Sequence, residues 1–77
     1  MKKHVVFVRD EVCLRYATSR VVVAGTAKAA VVAVLNAIYG TGIARVFETL
    51  RFDSALQHFK YLGIEIAVQD DNFSWKN

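Results

Sequence analysis

Three side chains have the chemistry for nucleophilic catalysis near neutral pH: the single thiol, Cys13, and the two imidazoles, His4 and His58. A nucleophile needs a base within hydrogen-bond reach and a third group to orient that base. Residues 3–9 and 12–17 read as two arms of a hairpin turning at Asp10-Glu11. That arrangement puts Cys13 near the turn and His4 at the far end, which is poor geometry for a dyad. His58 falls on the border of a helix's inner face, where a packed imidazole is the ordinary outcome. Metal sites gather three or four His, Cys or carboxylate ligands, and His4, Cys13 and His58 share no short ligand spacing. Asp70-Asp71 is an acidic pair on a tail. Gly40-Thr41-Gly42 lacks the lysine and following hydroxyl of a phosphate-binding loop and reads as a helix stop with a turn. No catalytic residue, metal ligand or cofactor is expected, and the chain reads as a non-enzyme.

Binding chemistry is better represented. Residues 1–20 carry Lys2, Lys3, Arg9, Arg15 and Arg20 against Asp10 and Glu11, a net +3. Residues 21–52 add +2 from Lys28, Arg45 and Arg51 against Glu48, and residues 53–77 carry a net −2. Clustered Lys and Arg bind phosphates. Lys2, Lys3, Arg9, Arg15, Arg20, Arg45 and Arg51 are therefore candidate nucleic-acid contacts, with Phe7 and Tyr16 placed for stacking. A protein interface is the other candidate. Lys28, Val32 and Asn36 lie on the outer face of a helix beside a lane of Ala29, Ala33 and Ala37, where small side chains admit another backbone. Phe73 and Trp75 stand on an otherwise polar tail, and aromatics of this kind anchor interfaces. The expected interface is Lys28, Ala29, Val32, Ala33, Asn36, Phe73 and Trp75.

The elements that must position these groups follow from periodicity. Lys3 to Arg9, with three valines and a phenylalanine, suits a strand. Val12 to Ala17 alternates as a second strand, against a short helix capped by Asp10. Thr18-Ser19 supplies a turn, and Arg20 to Ala24 is a third strand. Thr26 caps a helix over Ala27 to Tyr39 that Gly40 ends. Its inner stripe is Ala27, Val31, Val34, Leu35 and Ile38.

Residues 43–52 fit two patterns. Ile43, Val46, Phe47 and Leu50 have helical spacing, whereas Ala44, Val46, Leu50 and Phe52 alternate; the strand is preferred. Asp53 caps a helix over Ser54 to Leu62, with Ala55, Leu56, Phe59 and Leu62 inward. Gly63 turns the chain into a strand over Ile64 to Gln69. The tail from Asp70 to Asn77 is expected to fray or fold back. The order β-β-β-α-β-α-β describes one α+β domain spanning residues 1–77, mainly antiparallel sheet with two helices on one face.

If 43–51 is helical instead, the stretch from Phe52 through Ile66 looks like the last helix and exit strand of repressor-like helix-turn-helix domains. That likeness spans under a quarter of the chain. It implies exposed readers at Arg45, Glu48, Thr49 and Arg51.

Composition bounds the function classes. At 55% hydrophobic and 22% charged, the chain is too apolar for a disordered tail. One cysteine excludes a disulfide scaffold and fits a reducing, cytoplasmic setting. The apolar run Val5 to Val8 is too short for a secretory signal. Val21 to Ala44 carries one charge over 24 residues, long enough for a membrane span. Its central Lys28, Asn36 and glycines speak against one. A chain of 77 residues buries only about 60% of its unfolded surface, so part of its apolar excess should face a partner. The expected function is a small regulatory or inhibitory binding protein, an accessory protein of a bacterium or phage. It would act through protein contacts, with self-association as a homodimer. A basic DNA- or RNA-binding regulator is the alternative, through the helix-turn-helix-like residues 27–62 or a basic sheet face.

Overall fold

The computed structural model describes residues 1–13 and 15–70. It is α+β, as the patterning implies. The elements run β1 (Lys2–Asp10), β2 (Tyr16–Ala24), α1 (Ala27–Tyr39), α2 (Thr41–Thr49), α3 (Phe52–Tyr61) and β3 (Ile64–Asp70). The sheet order is β2-β1-β3, with both neighbours of β1 antiparallel. β1 is the central strand. Its register is unbroken on both sides, from Lys2↔Ala24 to Asp10↔Tyr16 and from His4↔Asp70 to Asp10↔Ile64.

Two segments differ from the sequence expectation. Residues 12–17 are not a separate strand, and Thr18-Ser19 is no turn. One long strand, β2, takes in 16–24, and the hairpin loop is 11–15. Asp10 decides this. Its Oδ1 accepts hydrogen bonds from the backbone N–H of Val12 (3.0 Å) and Cys13 (2.9 Å), and Arg15 closes the loop at φ 52°. These are the bonds a helix cap would accept, two and three residues on, but a loop follows instead of a helix.

The second difference is 43–52, most of which lies in helix α2 rather than a strand, so the described residues form three helices and not two. The helical spacing wins because Ala44 and Phe47 are the buried positions. Phe47 sits edge-on to Phe52 (6.0 Å) and Phe59 (5.4 Å). A strand pattern there would have split this aromatic cluster across two faces.

α1 matches its expected bounds. The Thr26 hydroxyl accepts from Ala29 N at 3.0 Å, and Gly40 ends the helix at φ 99°, a conformation that favours glycine. α3 begins one residue before Asp53, so Asp53 lies in its first turn and Arg51 occupies the capping position without a side-chain bond. Gly63 (φ 91°) turns α3 into β3, and a Cβ there would overlap the Val12 side chain. Glu11 N donates to Gly63 O at 3.0 Å, clipping the hairpin loop to that turn. Asp70, grouped with the tail by sequence, closes β3 and pairs with Lys2 at 3.2 Å. Phe73 and Trp75 lie outside the described residues.

The core sits between one face of the sheet and the helices. It comprises Val6, Val8, Ala24 and Ile64 from the strands, with Ala30, Val31, Val34, Leu35, Ala44, Phe47, Ala55 and Phe59 from the helices. Asp10 is buried among them at 1% exposure. Its Oδ2 accepts from the Tyr39 hydroxyl at 2.7 Å, which ties the end of α1 to the hairpin. The Tyr39 phenol is raised well above its ordinary pKa, first by burial and then by its bond to, and the charge of, Asp10. Among the described residues, no helix is long and apolar enough to cross a membrane.

Candidate functional site

α1 and α3 pack on one face of the sheet and α2 packs on both of them, and among the described residues nothing covers the other face. Side chains alternate along a strand. His4, Val6, Val8 and Asp10 of β1 turn inward and are buried, while Lys3, Val5, Phe7 and Arg9 turn outward. The register carries the outward face across the sheet. Val5 is opposite Val21 and Gln69, Phe7 opposite Ser19 and Ala67, and Lys3 opposite Val23. The centre of this face is apolar. Phe7 is 41% exposed, Val21 59% and Val23 58%.

Charge frames it at the strand ends. Arg9 lies opposite Glu65 and pairs with it at 2.7 Å, and with Glu11 at 2.8 Å. At the other end stands Lys3. An apolar centre with a polar rim is the anatomy of a protein interface.

β2 is an edge strand that continues this face. Among the described residues, no main-chain hydrogen bond other than those of the sheet reaches it. It has no proline, its register shows no bulge, and Arg20 is its sole charge. The usual protections of an edge are thus few. The opposite edge, β3, is shorter and carries Glu65 and Asp70.

The sequence-expected residues distribute differently. Lys28 and Val32 are engaged within the chain. Lys28 Nζ donates to Leu50 O at 2.6 Å, and Val32 packs on the core. The Asn36 side chain accepts from the Thr41 hydroxyl at 3.2 Å. Ala29, Ala33 and Ala37 are exposed, so among the described residues no helix occupies the alanine lane.

The basic candidates are not brought together. Lys3 and Arg9 point to the open face, Lys2 and Arg20 to the helix side. Arg15 sits in the hairpin loop, Arg45 on α2 and Arg51 at the start of α3. Lys2 and Arg9 are in ion pairs.

His4 and Cys13 are parted by most of the length of β1, about 20 Å for its six intervening steps, so they form no dyad. Cys13 is exposed and free. No group of three His, Cys, Asp or Glu side chains converges among the described residues. Gly40-Thr41-Gly42 leads directly into α2 rather than into a turn. A cleft of about 670 Å³ lies between α3 and the hairpin half of the sheet, with Thr18, Leu56, Gln57, Lys60 and Ile66 in its lining. Its size suits a small molecule, but neither histidine nor the cysteine lines it.

Sequence reasoning missed the open face because it reads Phe7 as a base-stacking residue. The signal was present. β1 is apolar on both alternations, and Val21-Val22-Val23 is a continuous apolar run. Such strands call for cover on both faces. Compared with known protein families, characterised proteins and solved structures, the chain matches none.

Proposed function

We propose that this chain is a small, non-catalytic regulatory or inhibitory binding protein that acts in the cytoplasm through protein contacts on its open sheet face. The observation that carries this reading is the apolar centre of Phe7, Val21 and Val23 around the half-buried Val5, left uncovered by the described residues, framed by charge and continuous with the β2 edge. Phe7 is the anchor, a large aromatic surrounded by smaller side chains, as at interface hot spots. The exposed thiol of Cys13 fits a reducing compartment. A nucleic-acid role has less support, because the cations are scattered and Lys2 and Arg9 are already neutralised by carboxylates.

The test is site-specific photo-crosslinking in the cell of origin, with the photoreactive residue at Phe7 and, as a control, at Ala33. The expected result is a discrete protein adduct from position 7 that survives nuclease treatment and is absent from position 33. An adduct that disappears with nuclease, or none from position 7, overturns the reading.

A further inference from the structure

We infer that β2 is the seam of a symmetric homodimer, in which the β2 strands of two copies pair antiparallel around Val22 and join two three-stranded sheets into one of six. This deepens the protein-contact reading and rests on it, because it enlarges the same apolar face.

The occupant of the edge is argued from the strand's own sequence. A two-fold axis normal to the sheet keeps the helices of both copies on one side and makes the edge pair with itself. Side-chain alternation then restricts the registers to those that oppose residues of the same face. Centring on Arg20 gives the longest overlap but sets two guanidinium groups directly opposite, and like charges so placed destabilise a pair. Centring on Val22 opposes Val21 to Val23 of the second copy, twice, and Val22 to itself.

Each Arg20 then lies opposite an Ala24, about 13 Å along the seam from its own symmetry mate. Four outward valines meet at the seam beside Val5 and Phe7 of each copy. Val21 and Val23, at 59% and 58% exposure, are among the most exposed β-branched residues of the sheet, and this register sets valines of the second copy beside both. The pairing stops at Ala24, where Gly25 turns the chain away into α1. It leaves residues 16–19 and the cleft beside α3 unpaired. The other edge has no such self-match, since its outward residues are Glu65, Ala67 and Gln69.

The register is tested by mixed oxidation in a Cys13→Ser background. Val21→Cys and Val23→Cys proteins are combined, oxidised and run without reductant, with Ala33→Cys as control. The expected product is the mixed 21–23 disulfide, several-fold above either homodisulfide and above the control. Sedimentation of the full chain across a concentration series is expected to show a dimer. Val21→Lys should convert it to a monomer with an unchanged circular dichroism spectrum; if that variant unfolds, the disulfide result decides.

A monomer at every concentration with no mixed disulfide above control overturns the inference, as does a preferred 21–21 disulfide, which marks another register. A monomer that still yields the protein adduct from Phe7 removes the dimer and leaves the binding reading standing. A dimer without that adduct supports the seam and removes the binding reading.

Discussion

β1 is one strand with two unlike faces. Its inward residues, His4, Val6, Val8 and Asp10, are all at or below 6% exposure. Its outward residues are nearly as apolar at the centre, yet Phe7 stands at 41%. The same backbone and the same residue types thus serve stability on one side and remain available on the other. Apolar composition alone does not say which face a protein uses for its core; the supply of covering elements does. This chain has helices enough for one layer.

That contrast is broken most severely by removing the helical cover. Phe47→Ala empties the centre of the aromatic cluster and is expected to cost about 3–5 kcal/mol, read as a lower urea midpoint. Asp10→Ala comes next. It removes charge-assisted bonds to the Val12 and Cys13 amides and to the Tyr39 hydroxyl, at an expected loss of about 3 kcal/mol. Val6→Ala, on the inward face, should cost about 2 kcal/mol. Its outward neighbour gives the sharpest comparison. Phe7→Ser should change stability by less than about 1 kcal/mol while abolishing the photo-crosslink of a partner to the open face, for which the reporter is placed at Val5. An equal loss of stability in both variants would show that the outward face is covered.

Tyr39→Phe tests the tie between α1 and the hairpin by pH. Burial, and then Asp10, raise the phenol above its ordinary value of about 10, so the folded state holds this proton more tightly than the unfolded chain. The stability it contributes is full below the unfolded value and is lost as pH rises through the higher folded value. The variant should be about 1 kcal/mol less stable at neutral pH and should lose stability less steeply than the wild type above about pH 10.

Much of the fold was legible in the chain. Thr26, the 3.6-residue stripe and Gly40 bounded α1 correctly, because caps and periodicity are local properties. Strand patterns placed β1 and β3 to within a residue at each end. The hairpin loop was misplaced because its position depends on Asp10 accepting bonds from the loop while being held by Tyr39, 29 residues away. Residues 43–52 satisfied both periods over a short span. Only the packing of Phe47 against Phe52 and Phe59 made the helical one the stable choice.

The sheet face proposed as the site was not singled out from the sequence. An excess of apolar residues over available cover follows from 77 residues at 55% hydrophobic, whatever the arrangement. Where that excess emerges is a tertiary matter. Part of it was expected on the outer face of α1, where Lys28 bonds to Leu50 O and Val32 packs on the core while Ala29, Ala33 and Ala37 are exposed. Among the described residues it also emerges on the sheet, because residues 41–49 joined the helical layer instead of adding a strand. Local sequence sets which residues alternate and where helices start and stop. Which of two apolar faces is left to water is decided only when the elements compete for the same core.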